Sequence, residues 1–156
     1  MTKHTYTIIA NQSSRTEEFG EMLGSHLIGG ECIELISDVG GGKTTFVRGL
    51  ARGAGSLDNV SSPTFTIAQR YSSPRLTIYH YDFYRLAEAG LVADELAEGL
   101  DNPKVVTVVE WAESVKHVLP EKRIQITFHK VADDAESRRI EIMLPDSYTH
   151  LKGLKL

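Results

Sequence analysis

Gly40, Gly41 and Gly42 run directly into Lys43, Thr44 and Thr45, an order of residue types suited to holding phosphate. Backbone N–H groups converge on phosphate oxygens only where side chains leave the approach open, which is what consecutive glycines provide. A helix beginning at Lys43 adds the positive potential of its N-terminus. Lys43 then reaches the outer phosphates as a mobile point charge, and the Thr44 hydroxyl is a ligand for magnesium. The segment fits the pattern G-x-x-x-x-G-K-[ST] except at its first position, where Ser37 replaces glycine. If that position demands a positive φ, serine adds about 1–3 kcal/mol of strain, and Ser37→Gly should tighten binding. Taken alone, the loop reads equally well as a glycine-rich turn with an exposed lysine.

A magnesium-bound nucleotide also needs a carboxylate at the end of a neighbouring strand. Two segments supply one: Leu76 to Tyr81 runs into Asp82, and Val105 to Val109 runs into Glu110. Either acid alone reads as an ordinary solvated strand end, but two beside a phosphate loop favour the nucleotide reading. The reaction such a set supports is in-line attack of water on a terminal phosphate, with charge absorbed by Lys43, magnesium and the loop amides. His80 and Arg85 flank Asp82; the first reads as a structural histidine or a base, the second as a charge neutraliser or an ion-pair partner.

The elements that position these groups follow from periodicity. His4 to Ala10 reads as a strand, and Ser14-Arg15-Thr16-Glu17 has the spacing of a capping box. Phe19, Met22, Leu23, His26 and Leu27 then repeat at helical spacing until Gly29-Gly30. Glu31 to Ile36 is β-prone, and Lys43 to Arg52 resumes a helical pattern. Phe65 to Tyr71 and Leu76 to Tyr81 form an expected hairpin about Ser72-Ser73-Pro74-Arg75. A helix is expected from Ala87 to about Leu100, then strands at Val105 to Val109, Arg123 to Phe128 and Arg139 to Leu144, the last two joined by a polar loop holding Asp133-Asp134.

At 156 residues the chain has the length of one domain, 1–156, able to bury roughly 70% of its unfolded surface. With 41% hydrophobic and 24% charged residues, and no apolar run near the ~18 residues of a membrane helix, it is not expected to cross a membrane. Met1 to Thr7 lacks a secretory signal pattern, and Cys32 is the only cysteine, so a reducing cytoplasm is the expected location. Cys32 reads as a packed apolar thiol. The net charge of −4, with dispersed lysines and arginines, lacks the footprint of an autonomous nucleic-acid binder, so neither DNA nor direct tRNA binding is expected.

Four segments in order, Ser37 to Thr45, Ser62-Pro63-Thr64-Phe65, His80 to Leu86 and Val109-Glu110-Trp111, resemble the bacterial TsaE (YjeE) family. The resemblance implies an α/β, three-layer P-loop NTPase-like fold with a mixed, mainly parallel central sheet. It also implies slow hydrolysis of ATP with Mg2+, in concert with TsaD and TsaB, to sustain threonylcarbamoyl transfer to adenosine 37 of tRNA. Carried over by position, Gly40, Gly41, Gly42, Lys43, Thr44, Thr45, Thr64 and Trp111 contact nucleotide, and Thr44 and Glu110 attend magnesium. Lys43, Asp82 and Glu110 serve catalysis, with the division between the acids open. Thr64 lies in a switch-like loop. Three rivals remain: a small-molecule kinase, for which an arginine-rich lid is missing; a GTPase, for which an Asn/Thr-Lys-x-Asp segment is missing; and a non-catalytic nucleotide-binding scaffold.

Overall fold

The computed structural model describes residues 3–37, 40–86, 88 and 90–155. Residues 38–39 of the glycine-loop segment, and Ala87, where the third helix was expected to start, lie outside the described residues. In chain order the elements are β1 (Lys3–Ala10), α1 (Ser13–His26), β2 (Cys32–Ile36), α2 (Lys43–Gly53), β3 (Ala68–Ser72), β4 (Thr77–Asp82), α3 (Leu91–Leu100), β5 (Val105–Glu110), β6 (Ile124–Val131) and β7 (Asp134–Pro145). The strands form a seven-stranded sheet in the order β1-β7-β6-β2-β5-β4-β3. Its middle, β6-β2-β5-β4, is parallel, and the flanking pairs are antiparallel. Parallel strands covered on both faces read as continuous apolar runs, as in β5, where all six residues are buried.

Strand alternation divides the core in two. Ile33, Leu35, Val106, Val108, Ile124 and Ile126 pack beneath Phe19 and Leu23 of α1 and Phe46, Val47 and Leu50 of α2. Cys32, Tyr81 and Val109 face the other way, against Leu96 of α3 and the short 3-10 turn at Ala112–Val115. Helices thus cover the sheet on both sides, giving three layers. Burial in the second core pushes the Cys32 thiol up to about 12, so it stays protonated and behaves as a packed hydrophobe.

α1 and α2 meet backbone to backbone. A Cβ on Gly20 would stand 2.2 Å from the Phe46 carbonyl oxygen, and one on Gly49 would stand 1.9 Å from that of Glu17. One turn further on, Gly24 and Gly53 make the same approach. Only glycine permits this contact, which fixes α2, and with it the glycine loop, against α1.

Several element boundaries differ from expectation. Ser14 does not cap α1: the N-cap is Gln12, extended and without a side-chain cap bond, because only Asn11 and Gln12 link β1 to a helix that already begins at Ser13. α1 ends at His26 with Leu27 as its cap, before Gly29-Gly30. β3 begins at Ala68, not Phe65, because the Thr66 and Ile67 N–H groups close a turn onto the Pro63 carbonyl and Ile67 takes a φ of 68°. α3 begins after Gly90, whose φ is 50°. β6 and β7 are longer than expected and form a hairpin, with Asp133 at φ 63° in the turn and Asp134 inside the strand.

Candidate nucleotide site

The parallel β4–β5 pair sets Asp82 directly across from Glu110. Ile78, His80 and Asp82 lie on one face of β4, and Val106, Val108 and Glu110 on the same face of β5. Both acids therefore point to the α1/α2 side at the C-terminal ends of their strands, the usual place for ligands in open α/β sheets. Both are buried, at 3% and 2% exposure.

α2 delivers the loop to the same spot. Gly42 is its N-cap, in the left-handed region at φ 102°, where a side chain would be strained. Its carbonyl accepts the first helical bond, from Phe46 N–H at 3.0 Å. Lys43 follows, its Nζ donating to the Ser37 carbonyl at 3.2 Å and lying 4.5 Å from the Trp111 ring centroid. Trp111 sits there because it takes a left-handed φ of 55° immediately after β5, with the Tyr84 ring 4.8 Å away.

The Ser62–Thr64 segment closes the third side. Thr64 Oγ1 donates to Asp82 Oδ2 at 2.8 Å and shares a 2.7 Å hydrogen bond with Ser62 Oγ, while Tyr84 N–H donates to Asp82 Oδ1 at 2.9 Å. Each Asp82 oxygen thus accepts a hydrogen bond. Glu110 differs: among the described residues its buried Oε1 has no hydrogen-bond partner, and it lies 3.6 Å from His80 Nε2, which likewise has none. An orphaned buried carboxylate oxygen calls for a ligand or water.

Gly40, Gly41, Gly42, Lys43, Thr44, Thr45, Thr64, Asp82, Glu110 and Trp111 all line one cavity of about 380 Å³. Arg85 is not among its lining residues and instead stacks on the Phe65 ring at 4.8 Å. An arginine absent from the sequence reading takes its place. Arg138 of β7 lines the cavity and donates from Nε to the Gly41 carbonyl at 3.1 Å and from Nη2 to that of Gly40 at 3.2 Å. The strain expected at Ser37 has no counterpart: among the described residues, non-glycine positive φ occurs at Ile67, Trp111 and Asp133. Also among the described residues, no group of three or more His, Cys, Asp or Glu side chains is placed to hold a metal ion, and no helix is long and apolar enough to cross a membrane.

The fold and the loop–helix junction define a P-loop-type α/β protein. More narrowly, the chain belongs to the family described as "Threonylcarbamoyl adenosine biosynthesis protein TsaE", whose model matches residues 10–140. It is 40% identical over 107 residues to the tRNA threonylcarbamoyladenosine biosynthesis protein TsaE of Bacillus subtilis, covering 67% of this chain and 65% of that protein, just under two thirds of its length. The TsaE of Treponema pallidum is 37% identical over 125 residues, covering 80% of this chain and 92% of the relative. Among solved structures, Bacillus subtilis YdiB superposes with a TM-score of 0.75 at 29% identity, over 96% of this chain and 92% of its own.

Proposed function

We propose that this chain binds ATP with Mg2+ and hydrolyses it slowly in the cytoplasm, acting with TsaD and TsaB in tRNA threonylcarbamoyladenosine formation. The TsaE family's own place in that biosynthesis supports the process. The observation that carries the chemistry is the Asp82–Glu110 rung facing the Gly40–Thr45 loop across one cavity.

The residues fit the ion. Glu110 offers a buried oxygen without a hydrogen-bond partner, and Thr44 lines the same cavity. Magnesium is commonly held by one or two carboxylates plus substrate phosphates rather than by a protein cage, which agrees with the small number of acids here. When bound, it would offset charge on the phosphate oxygens. The chain's own groups do the rest. Amides of the loop and the α2 N-terminus bind phosphate, and Lys43 exchanges its Ser37 carbonyl contact for phosphate oxygens. Asp82, held by Tyr84 N–H, orients water, and Arg138 anchors the loop through the Gly41 and Gly40 carbonyls. In this reading Thr64 leaves Asp82 to meet the terminal phosphate, which makes its loop a switch for partner binding.

The test is calorimetric titration with Mg·ATP, followed by phosphate release and modified tRNA, each with and without TsaD and TsaB. Magnesium-dependent binding with partner-stimulated release is expected. Binding without release would reduce the chain to a nucleotide-responsive scaffold, and no binding would remove the ATP reading.

A further inference from the structure

Behind Glu110 lies a chain of contacts that the proposed chemistry does not use. His80 is fully buried, its Nδ1 3.3 Å from Tyr71 Oη and its Nε2 3.6 Å from Glu110 Oε1. Tyr71, 2% exposed, also donates its hydroxyl to the Ser61 carbonyl at 3.0 Å. Ser61 immediately precedes the Ser62–Thr64 segment that holds Asp82. One path of polar contacts thus joins that loop to Glu110 along the α1/α2 face of the sheet.

Counting protons decides what the path does. Burial pushes the Tyr71 hydroxyl up to about 12, aided by the Glu110 charge, so it keeps a single proton. A neutral imidazole has a single N–H. When Tyr71 donates to Ser61, only the Nδ1–H tautomer of His80 can bond Tyr71. In that tautomer the Nε2 lone pair faces Glu110 Oε1 at 3.6 Å, with no hydrogen bond between the two atoms. If Ser61 withdraws, the Tyr71 hydroxyl turns to Nδ1. The imidazole proton then resides on Nε2 by exchange with water, with the proton count unchanged, and Nε2–H donates to Glu110.

The geometry points to Tyr71 and His80 as positioning residues that convert the placement of the Ser61–Thr64 loop into the presence or absence of a hydrogen bond on Glu110. The inference rests on the reading that nucleotide displaces that loop. With the loop docked on Asp82, Glu110 is unheld; with the loop drawn to phosphate, His80 fixes the carboxylate. The site therefore completes itself only when occupied.

The experiment reads the His80 tautomer by long-range 1H–15N NMR on histidine-labelled protein, the signal assigned by its loss in His80→Gln. Wild type should show Nδ1–H when nucleotide-free and Nε2–H with Mg2+ and a non-hydrolysable ATP analogue, binding being verified by calorimetry on the same samples. Tyr71→Phe removes the hydroxyl, and with it the only partner of Nδ1 among the described residues, so it should show Nε2–H without nucleotide. Thr64→Val, which unties the loop from Asp82, should move the signal the same way. An unchanged tautomer in loaded wild type, Nδ1–H persisting in folded Tyr71→Phe, or a doubly protonated ring in every state would overturn the proposal. Should Tyr71→Phe and Thr64→Val shift the tautomer while wild type binds no ATP, the link stands and only the nucleotide reading falls.

Discussion

Asp82 and Glu110 share one rung of the β4–β5 pair, yet the first is hydrogen-bonded at both oxygens and the second leaves a buried oxygen unbonded. Asp82 takes Thr64 Oγ1–H at 2.8 Å and Tyr84 N–H at 2.9 Å, whereas Glu110 Oε1 takes no hydrogen bond among the described residues. The two acids should therefore fail differently. Glu110→Gln leaves the loop tied and the phosphate cradle intact, so ATP binding should survive while turnover drops at least tenfold, about 1.4 kcal/mol. Asp82→Asn keeps Glu110 but disturbs the carboxylate that Thr64 grips, so nucleotide-dependent partner binding should weaken along with turnover. Parallel calorimetry, phosphate release and tRNA modification separate these outcomes. Wild-type turnover in Glu110→Gln removes that residue from the mechanism.

Trp111 is the only tryptophan, and its ring lies 4.5 Å from Lys43 Nζ. A cation moving off an indole face changes its surroundings, so adding Mg·ATP should alter intrinsic fluorescence as Lys43 turns to phosphate. Lys43→Ala should shift the emission of the nucleotide-free protein and cut ATP affinity or turnover at least tenfold, about 1.4 kcal/mol. Thr44→Ala should mainly weaken the magnesium dependence of the same signal. A Lys43→Ala titration that overlays wild type would refute the assignment of the loop.

Ser37 and Arg138 make opposite forecasts about the loop. Ser37 carries no left-handed φ, so Ser37→Gly relieves nothing and should not tighten ATP binding, contrary to what the pattern mismatch predicts. Arg138→Ala removes two donors from the Gly40 and Gly41 carbonyls and should raise the Kd for ATP with little change in the melting temperature. Tighter binding by Ser37→Gly would restore strain at that position.

The α1–α2 contact sets a stability test. An alanine Cβ at position 49 would collide with the Glu17 carbonyl oxygen at 1.9 Å, and a backbone neighbour cannot rotate away. Overpacking of this kind costs about 1–3 kcal/mol, a fall in Tm of roughly 2–12 °C at this size. Because α2 starts at the loop, ATP affinity should fall with it. A Gly49→Ala melt superimposed on wild type would show that the helices separate freely.

What was legible in the sequence was local. An apolar run ending in an acid announces a buried strand with a carboxylate at its tip, as at Glu110, and three glycines before a lysine announce a loop opening a helix. What was not legible depends on distant partners. Arg138 stands 97 residues from Gly41, on a strand whose pattern shows only that it alternates. Gly20, Gly24, Gly49 and Gly53 look like weak points in two helices until the helices are seen in contact. His80 reads in sequence as a structural histidine or a base because nothing nearby reveals Tyr71 and Glu110 at its two nitrogens. Ser14 misled because a capping pattern is common, and the short β1–α1 link moved the helix start ahead of it.

Alkaline pH offers a test of the two cores independent of nucleotide. Burial raises the Cys32 thiol from 9.0 to about 12, and Tyr71 and Tyr81 from 10.0 to about 12. Below the unfolded values the folded and unfolded chains hold these protons equally. Above them the unfolded chain releases protons that the folded chain retains, so unfolding is favoured as pH rises. The urea midpoint should therefore be insensitive to these groups up to about pH 8 and decline from about pH 9 toward 12. Cys32→Ala removes the earliest of the three, so the onset should move up toward pH 10, where the tyrosines begin to contribute. A decline beginning at the same pH in both proteins would show that the thiol is not held neutral by its burial between β2 and α3.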